Sequence, residues 1–154
     1  MVTLIGMGSG SWEALSVQAQ DAVRRAGLVF GAKRLLAGLP PECTARQFAL
    51  YQPAEILETL AQAPGQDAAV LYSGDTGFYS GASGLLTPLR ALGIPARVYP
   101  GVSSIQLLAA ALGRPWQDWK LVSAHGCACD PVAQCMTERS VFFLTGGAET
   151  PATL

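Results

Sequence analysis

The N-terminal stretch Val2-Thr-Leu-Ile-Gly-Met-Gly-Ser-Gly-Ser11 decides the fold of this 154-residue chain. Val2 to Ile5 is a short apolar run that predicts a strand, and the glycines after it predict a lean loop. Leu15 to Ala26 then carries apolar residues at helical spacing, with Arg24 and Arg25 in the last turn. The order strand, glycine loop, helix is the first half of a parallel βαβ unit.

Strands and helices continue to alternate along the chain. The predicted strands are Leu28 to Phe30, Arg46 to Leu50 at a sheet edge, Ala68 to Tyr72 and Ala96 to Tyr99; the predicted helices are Ala32 to Leu36, Ala54 to Ala63, Gly84 to Leu92 and Gly101 to Leu112. This alternation predicts an α/β fold in which a parallel sheet is covered by helices on both faces.

The chain length and the order of the predicted elements indicate the domain organisation. We expect an N-terminal α/β domain over residues 1–113, a linker over 114–118 that contains Pro115 and Trp116, and the start of a second α/β domain over 119–154. In the second domain only Leu121 to Ala124 and Ser140 to Leu144 predict strands. Because two strands close no domain, we expect the chain to be the N-terminal portion of a longer protein.

Charge and hydropathy exclude several functional classes. Hydrophobic residues make up 50% of the chain and the mean hydropathy is +0.30, which predicts a substantial buried core. A net charge of -1 with scattered basic residues argues against a nucleic-acid partner. The longest apolar run, Leu107 to Leu112, is too short to span a membrane, and the N-terminus lacks the pattern of a secretory signal, so we expect a cytoplasmic protein.

Three predicted strands end in small, glycine-rich loops. We name them the first loop (Gly6 to Ser11), the second loop (Ser73 to Ser80) and the third loop (Pro100 to Ser104). Ligands of parallel sheets bind outside the carboxyl ends of the strands. Loops of small residues there let the backbone approach the ligand closely. A single loop of this kind can be an ordinary tight turn, but the three together predict a ligand-binding cleft.

The first loop does not fit a nucleotide-binding motif. Its glycines at Gly6, Gly8 and Gly10 depart from the dinucleotide spacing, and Gly31 follows the second strand where an acidic ribose ligand should stand. No Gly-Lys-Ser/Thr follows the loop either, so a phosphate-binding loop is not predicted. Its backbone donors and the following helix N-terminus suit a carboxylate.

Asp75 is the most distinctive residue of the second loop, because it is the only acidic residue between Ala68 and Leu112. An acid at this position predicts a cationic or hydroxyl partner, although Asp commonly caps its own turn instead. In the third loop, Ser103 and Ser104 line the cleft, cap the following helix, or do both.

A cluster of soft ligands occurs late in the chain. His125, Cys127, Cys129 and Cys135 could in principle bind zinc, but the Cys-x-Cys spacing is poor for a tetrahedral site, so we expect no bound metal. With Cys43 they are expected to be reduced thiols. His125 is the only histidine and therefore the one candidate proton carrier near neutral pH.

The three loops together resemble the tetrapyrrole methylases, which are class III S-adenosylmethionine-dependent methyltransferases. The first loop and the Ser-Gly-Asp second loop with Phe-Tyr-Ser80 are typical of the whole family. The run from Pro100 to Asp118, followed by Val122-Ser-Ala-His-Gly126, is similar to the precorrin-7 C5-methyltransferases of cobalamin biosynthesis. The resemblance covers residues 2 to about 146.

This resemblance implies a function and a set of site residues. It implies two α/β domains and a homodimer that transfers a methyl group from S-adenosylmethionine to the C5 position of a precorrin or cobalt-precorrin. A C15 methyltransferase/decarboxylase would be fused or separate. The resemblance assigns cofactor binding to Ser9, Gly74, Asp75, Phe78, Tyr79, Ser103, Ser104 and Thr145, and it assigns the substrate cleft to Gly6, Gly8 and Gly10. No catalytic residue is assigned beyond His125, a weak candidate for proton removal.

Two positions depart from the family pattern. Thr76 stands where the family usually has proline, and Cys127 stands where an arginine usually follows His-Gly. If that arginine binds a substrate carboxylate, this chain must supply another donor. The alternatives are therefore a sister methylase of different regiospecificity and a non-catalytic protein that keeps the fold and its ligand pocket.

Overall fold

The computed structural model describes residues 1–124, 129–137 and 140–146 of the chain. The chain divides into two compact units, the first from Met1 to Ser103 and the second from Ser104 onward. The sequence places the linker one helix later, at 114–118, and that linker stays a prediction. Each unit is described by itself.

The first unit alternates strands with helices as predicted. Its elements are β1 (Val2–Gly6), a 3-10 turn (Trp12–Ala14), α1 (Val17–Arg25), β2 (Leu28–Phe30), α2 (Lys33–Leu36), β3 (Arg46–Phe48), α3 (Pro53–Ala61), β4 (Ala68–Tyr72), α4 (Ala82–Ala91) and β5 (Ala96–Tyr99). The start of α1 has a local cause, because the Ser16 hydroxyl accepts a hydrogen bond from the Ala19 N–H at 3.3 Å. Proline at the first position of α3 is likewise favourable, since that position needs no N–H donor.

The strands form one five-stranded sheet in the order β3-β2-β4-β1-β5, and every adjacent pair is parallel. Val2 of β1 lies opposite Ala68 of β4 on one side and Ala96 of β5 on the other. The predicted parallel sheet is therefore confirmed. The segment expected to form an edge strand, Arg46 to Leu50, supplies the edge strand β3.

Alternating residues of the central strands enter two separate hydrophobic cores. Leu4, Phe30 and Val70 belong to one core, which α3 and α4 complete with buried residues that include Ile56 and Leu85. Their neighbours along the strands belong to the other core; these are Ile5, Val29, Ala69 and Leu71. In that core they pack with Ala19, Val23 and Leu35 of α1 and α2. Burial on both faces explains why β2 and β4 are continuously apolar and why Thr3 is the one hydroxyl residue in β1.

The strand order places a topological switch point between β1 and β4. From β1 the chain crosses to β2 and then β3 by way of α1 and α2, whereas α3 and α4 lead back across the sheet to β4 and β5 on its other face. The connections that leave β1 and β4 thus run in opposite directions. At such a point the carboxyl edge of the sheet opens a crevice, which is where α/β proteins bind ligands.

The second unit contains α5 (Ser104–Leu112), β6 (Lys120–Ser123), α6 (Pro131–Thr137) and β7 (Val141–Leu144). Strands β6 and β7 pair in parallel, with Lys120 opposite Val141. The two strands were expected, but α6 was not. The local signal was Asp130-Pro131, since the Asp130 side chain accepts a hydrogen bond from the Ala133 N–H at 3.1 Å and proline occupies the first helical position.

Two further findings concern membrane-spanning helices and the cysteines. Across the described ranges, no helix has the length and apolar character that a membrane crossing requires. The thiols of Cys43, Cys129 and Cys135 are free. Cys127 lies outside the described residues.

The hydroxyl of Tyr72, at the end of β4, is buried and has no hydrogen-bond partner among the described residues. Burial raises the pKa of Tyr72 to about 12, from an ordinary value of 10.0, because the charged phenolate would lose its hydration. The folded protein therefore retains this proton at pH values where the unfolded chain has lost it.

We predict that Tyr72→Phe leaves the free energy of unfolding unchanged or raises it by about 1 kcal/mol, because the substitution removes a buried polar group without a partner. In the wild type, the Tyr72 contribution to stability is fully present below pH 10.0 and is lost as pH rises toward about 12. Urea denaturation across this pH range should show a smaller alkaline loss of stability in the variant. A variant that loses more than about 1 kcal/mol at pH 7 would show that the hydroxyl has a stabilising partner.

Candidate active site

The first and second loops meet at the switch point through backbone hydrogen bonds. Met7 N–H donates to the Tyr72 carbonyl at 2.8 Å, where the two central strands end. One residue further, Gly8 and Gly74 exchange two hydrogen bonds, at 3.0 and 2.9 Å, and form an antiparallel bridge. Gly8 and Gly74 have φ of 57° and 65°, which glycine adopts without strain. The predicted convergence of these two loops is therefore present in the structure.

The third loop joins them by a close approach of backbone atoms. A Cβ added to Gly6 would lie 2.6 Å from the Gly101 nitrogen and 2.7 Å from the Gly74 carbonyl oxygen. A Cβ added to Gly101 would overlap the carbonyl oxygens of Gly74 and Gly6. No side chain fits between these backbones, so Gly6, Gly74 and Gly101 hold the carboxyl ends of β1, β4 and β5 together.

Asp75 connects the second loop to the third. One carboxylate oxygen accepts a hydrogen bond from the Gly77 N–H at 2.8 Å, and the other accepts one from the Gly101 N–H at 3.1 Å. The first bond is the turn cap that was the alternative interpretation of this residue. The second bond is between segments 26 residues apart and was not expected. Asp75 thus orders the loops, and its contact with a cofactor stays a prediction.

Thr76 gives the same two loops a further connection. Its hydroxyl donates to the Tyr99 carbonyl, at 3.4 Å, where β5 ends. Proline, the residue that the resemblance leads us to expect at this position, has no side-chain donor for such a bond. Thr76 therefore adds a contact between the second loop and the end of β5, directly before the third loop.

Phe78 and Tyr79 form an aromatic pair in the second loop. Their ring centroids are 4.9 Å apart and the rings are at 73°, an edge-to-face arrangement. Tyr79 has φ of 47°, which is uncommon for a residue with a side chain, and its side chain is 53% exposed. An exposed aromatic ring held in this backbone conformation is available to a ligand, which is compatible with the predicted role.

The predicted serines have different environments. Ser9 is exposed in the first loop, and its hydroxyl lies 3.4 Å from that of Ser11. Ser103 is buried at the end of the first unit, whereas Ser104 is exposed and is the first residue of α5. The helix expected from Gly101 thus begins at Ser104, because the backbone of Gly101 is used in the contact with Gly6 and Gly74.

Of the other two predicted residues, one belongs to the second unit and one is outside the described residues. Thr145 follows β7 in the second unit, and its predicted contribution to the cofactor pocket stays a prediction. His125, the candidate proton carrier, lies outside the described residues. Among the residues that are described, no group of histidine, cysteine and acidic side chains could hold a metal ion.

Sequence reasoning missed Arg34, which follows β2 at the same edge of the sheet. Its guanidinium donates a hydrogen bond to the Ser73 hydroxyl, 39 residues along the chain. A Cβ added to Gly10 would lie 3.4 Å from Arg34 Nη1, so the side chain also reaches the first loop. The sequence signal was the basic pair Lys33-Arg34, three residues beyond the end of a buried strand.

A separate cavity of about 530 Å³ lies beside α1 in the first unit. Its described lining residues are Trp12, Val23, Arg24, Pro40, Glu42 and Cys43, which include none of the predicted site residues. The Arg24 guanidinium lies over the Trp12 ring, 5.3 Å from its centroid, and also pairs with Asp21. This cavity is distinct from the carboxyl edge where the loops meet.

Comparison with known proteins identifies relatives along most of the chain. The family model of the tetrapyrrole (corrin/porphyrin) methylases matches residues 1–150. The chain is 33% identical over 147 residues to the cobalt-precorrin-7 C(5)-methyltransferase of Salmonella typhimurium, covering 94% of this chain and 71% of that protein. It is 34% identical over 120 residues to the precorrin-4 C(11)-methyltransferase of Mycobacterium tuberculosis, covering 73% and 48%.

A solved structure shows the same fold. The crystal structure of the methyltransferase CobJ matches with a TM-score of 0.70 at 23% identity, covering 88% of this chain. The matched region spans only 61% of the CobJ chain. The parallel α/β architecture expected for a class III methyltransferase is confirmed.

We predict that Gly101→Ala lowers the free energy of unfolding by about 2 kcal/mol, because the new methyl group overlaps two backbone carbonyl oxygens that cannot move independently. Gly84→Ala is the matched control. Its Cβ would lie 3.7 Å from a Pro53 side-chain carbon, an ordinary contact, and alanine is favoured over glycine within α4. Thermal and urea denaturation should show a destabilised Gly101 variant and a Gly84 variant at least as stable as the wild type. Equal stability of both would contradict the close approach of the three loops.

Proposed function

The chain belongs to the tetrapyrrole (corrin/porphyrin) methylases, and on this basis we propose that the protein transfers a methyl group from S-adenosylmethionine to a carbon of a precorrin or cobalt-precorrin. The match of the family model to residues 1–150 carries the proposal. The meeting of the three loops at the switch point supports it, since ligands of such sheets bind at this crevice.

The donor set of the loops fits S-adenosylmethionine better than a nucleotide cofactor. Gly6 and Gly101 let the backbones of the three loops pack against one another, which brings the loop residues together at one edge of the sheet. Gly31 and Ala32 follow β2, so the acid that binds the ribose of a dinucleotide is missing there. The loops also lack the lysine of a phosphate-binding motif. A ligand without phosphates is therefore favoured.

We assign the predicted residues to this cofactor as part of the proposal. The set comprises residues of the first unit's loops and two residues of the second unit: Ser9, Gly74, Asp75, Phe78, Tyr79 and Ser103, then Ser104 and Thr145. When bound, S-adenosylmethionine supplies an electrophilic methyl group on a sulfonium. The residues of this chain would bind and orient the two reactants and exclude water, which can provide much of the rate enhancement without a strong acid or base. A site with so few ionisable groups is consistent with this division of roles.

For the methylated position we propose C5, with C11 as the second candidate. The Salmonella relative, a C(5)-methyltransferase, aligns over 94% of this chain, whereas the Mycobacterium relative, a C(11)-methyltransferase, aligns over 73%. The identities of 33% and 34% do not separate them, so coverage is the observation that favours C5. A homodimer, as the resemblance implies, is part of the same proposal.

We predict that S-adenosylhomocysteine binds the protein more tightly than NAD, because the first loop lacks both the glycine spacing and the lysine with which nucleotide-binding loops hold phosphates. Isothermal titration calorimetry with each compound measures the difference. Tight NAD binding without a response to S-adenosylhomocysteine would contradict the assigned cofactor. Incubation with S-adenosylmethionine and precorrin-7 or cobalt-precorrin-7, followed by mass spectrometry, then tests turnover, and the gain of one methyl group distinguishes an enzyme from a non-catalytic ligand-binding protein.

A further inference from the structure

Arg34 holds a positive charge at the carboxyl edge of the sheet. It is an exposed residue of α2, which begins at Lys33, three residues after β2 ends. Its guanidinium is held between the first loop, at Gly10, and the second loop, through the hydrogen bond to the Ser73 hydroxyl. The side chain is therefore positioned by two of the three ligand-binding loops.

No carboxylate of the described chain neutralises this charge. The ion pairs found among the described residues join Met1 to Asp67 and Arg24 to Asp21. Asp75, the acid of the second loop, directs its two oxygens to the N–H groups of Gly77 and Gly101. The structure gives the guanidinium one hydrogen-bond partner in the described ranges, Ser73, and a guanidinium has several further N–H donors in a fixed fork.

The guanidinium of Arg34 lies beside the point where the loops meet. Arg34 follows β2, but Ser73, its hydrogen-bond partner, directly precedes Gly74 at the end of β4. A tetrapyrrole bound at these loops carries carboxylate side chains around its rim, so one of them can reach the guanidinium.

We propose that Arg34 binds a carboxylate side chain of the tetrapyrrole substrate. The inference rests on the proposed function. The guanidinium fork matches a carboxylate in a bidentate geometry, which an exposed lysine would not reproduce.

The test compares two ligands on the same variants. Uroporphyrin serves as the probe for a tetrapyrrole carboxylate, and S-adenosylhomocysteine serves as the probe for the cofactor, which also carries a carboxylate. Arg34→Gln removes the charge, and Arg34→Lys keeps the charge without the fork. Arg90→Gln is the matched control, because Arg90 is exposed in the last turn of α4, and the end of that helix leads to the amino end of β5.

In fluorescence titrations, Arg34→Gln should weaken uroporphyrin binding about 10-fold to 100-fold, and Arg34→Lys should give a smaller loss. The affinity for S-adenosylhomocysteine should stay within about twofold of the wild type, as should both affinities of Arg90→Gln. Uroporphyrin binding that is unchanged in Arg34→Gln would overturn the inference and leave the proposed function standing.

Two other results would overturn the inference in recognisable ways. An equal loss of both ligands in Arg34→Gln would show that Arg34 only positions the first and second loops. A selective loss of S-adenosylhomocysteine would assign Arg34 to the cofactor carboxylate. A wild-type protein that binds neither probe would contradict the proposed function itself, and the inference with it.

Discussion

The contact among Gly6, Gly74 and Gly101 is the constraint on which the rest of the first unit depends. Three backbones meet there, and neither Gly6 nor Gly101 has room for a Cβ, so the carboxyl ends of β1, β4 and β5 approach one another without intervening side chains. The hydrogen bonds between Gly8 and Gly74, and from Gly101 N–H to Asp75, fix the loops in this arrangement.

The two hydrophobic cores fix the strands that carry this contact. Because alternate residues of β1 and β4 enter opposite cores, both strands are immobilised on both faces, and their ends cannot shift separately. The strand order then places the opening of the crevice between these same two strands. Core packing thus determines where the ligand site can form, and the loops determine what it can bind.

The sequence was informative wherever structure depends on local pattern. Apolar runs predicted β1, β2 and β4 within one residue, because strands buried on both faces need continuous apolar character. Contacts between distant segments were not predictable. The bonds of Asp75 to Gly101 and of Arg34 to Ser73 join residues 26 and 39 positions apart, and no local pattern encodes them. The start of α5 at Ser104 was misjudged for the same reason, since Pro100-Gly101 resembles a helix entry until the packing of Gly101 is known.

In the proposed function, one ligand contacts all three loops at the carboxyl edge of the sheet. Hydrogen–deuterium exchange with saturating S-adenosylhomocysteine tests this contact most directly. We predict slower exchange in peptides that cover the first, second and third loops, with no change in peptides that cover α3 or the cavity residues Pro40, Glu42 and Cys43. Protection confined to the segment around Cys43, or no protection at the loops when calorimetry shows saturation, would contradict the account.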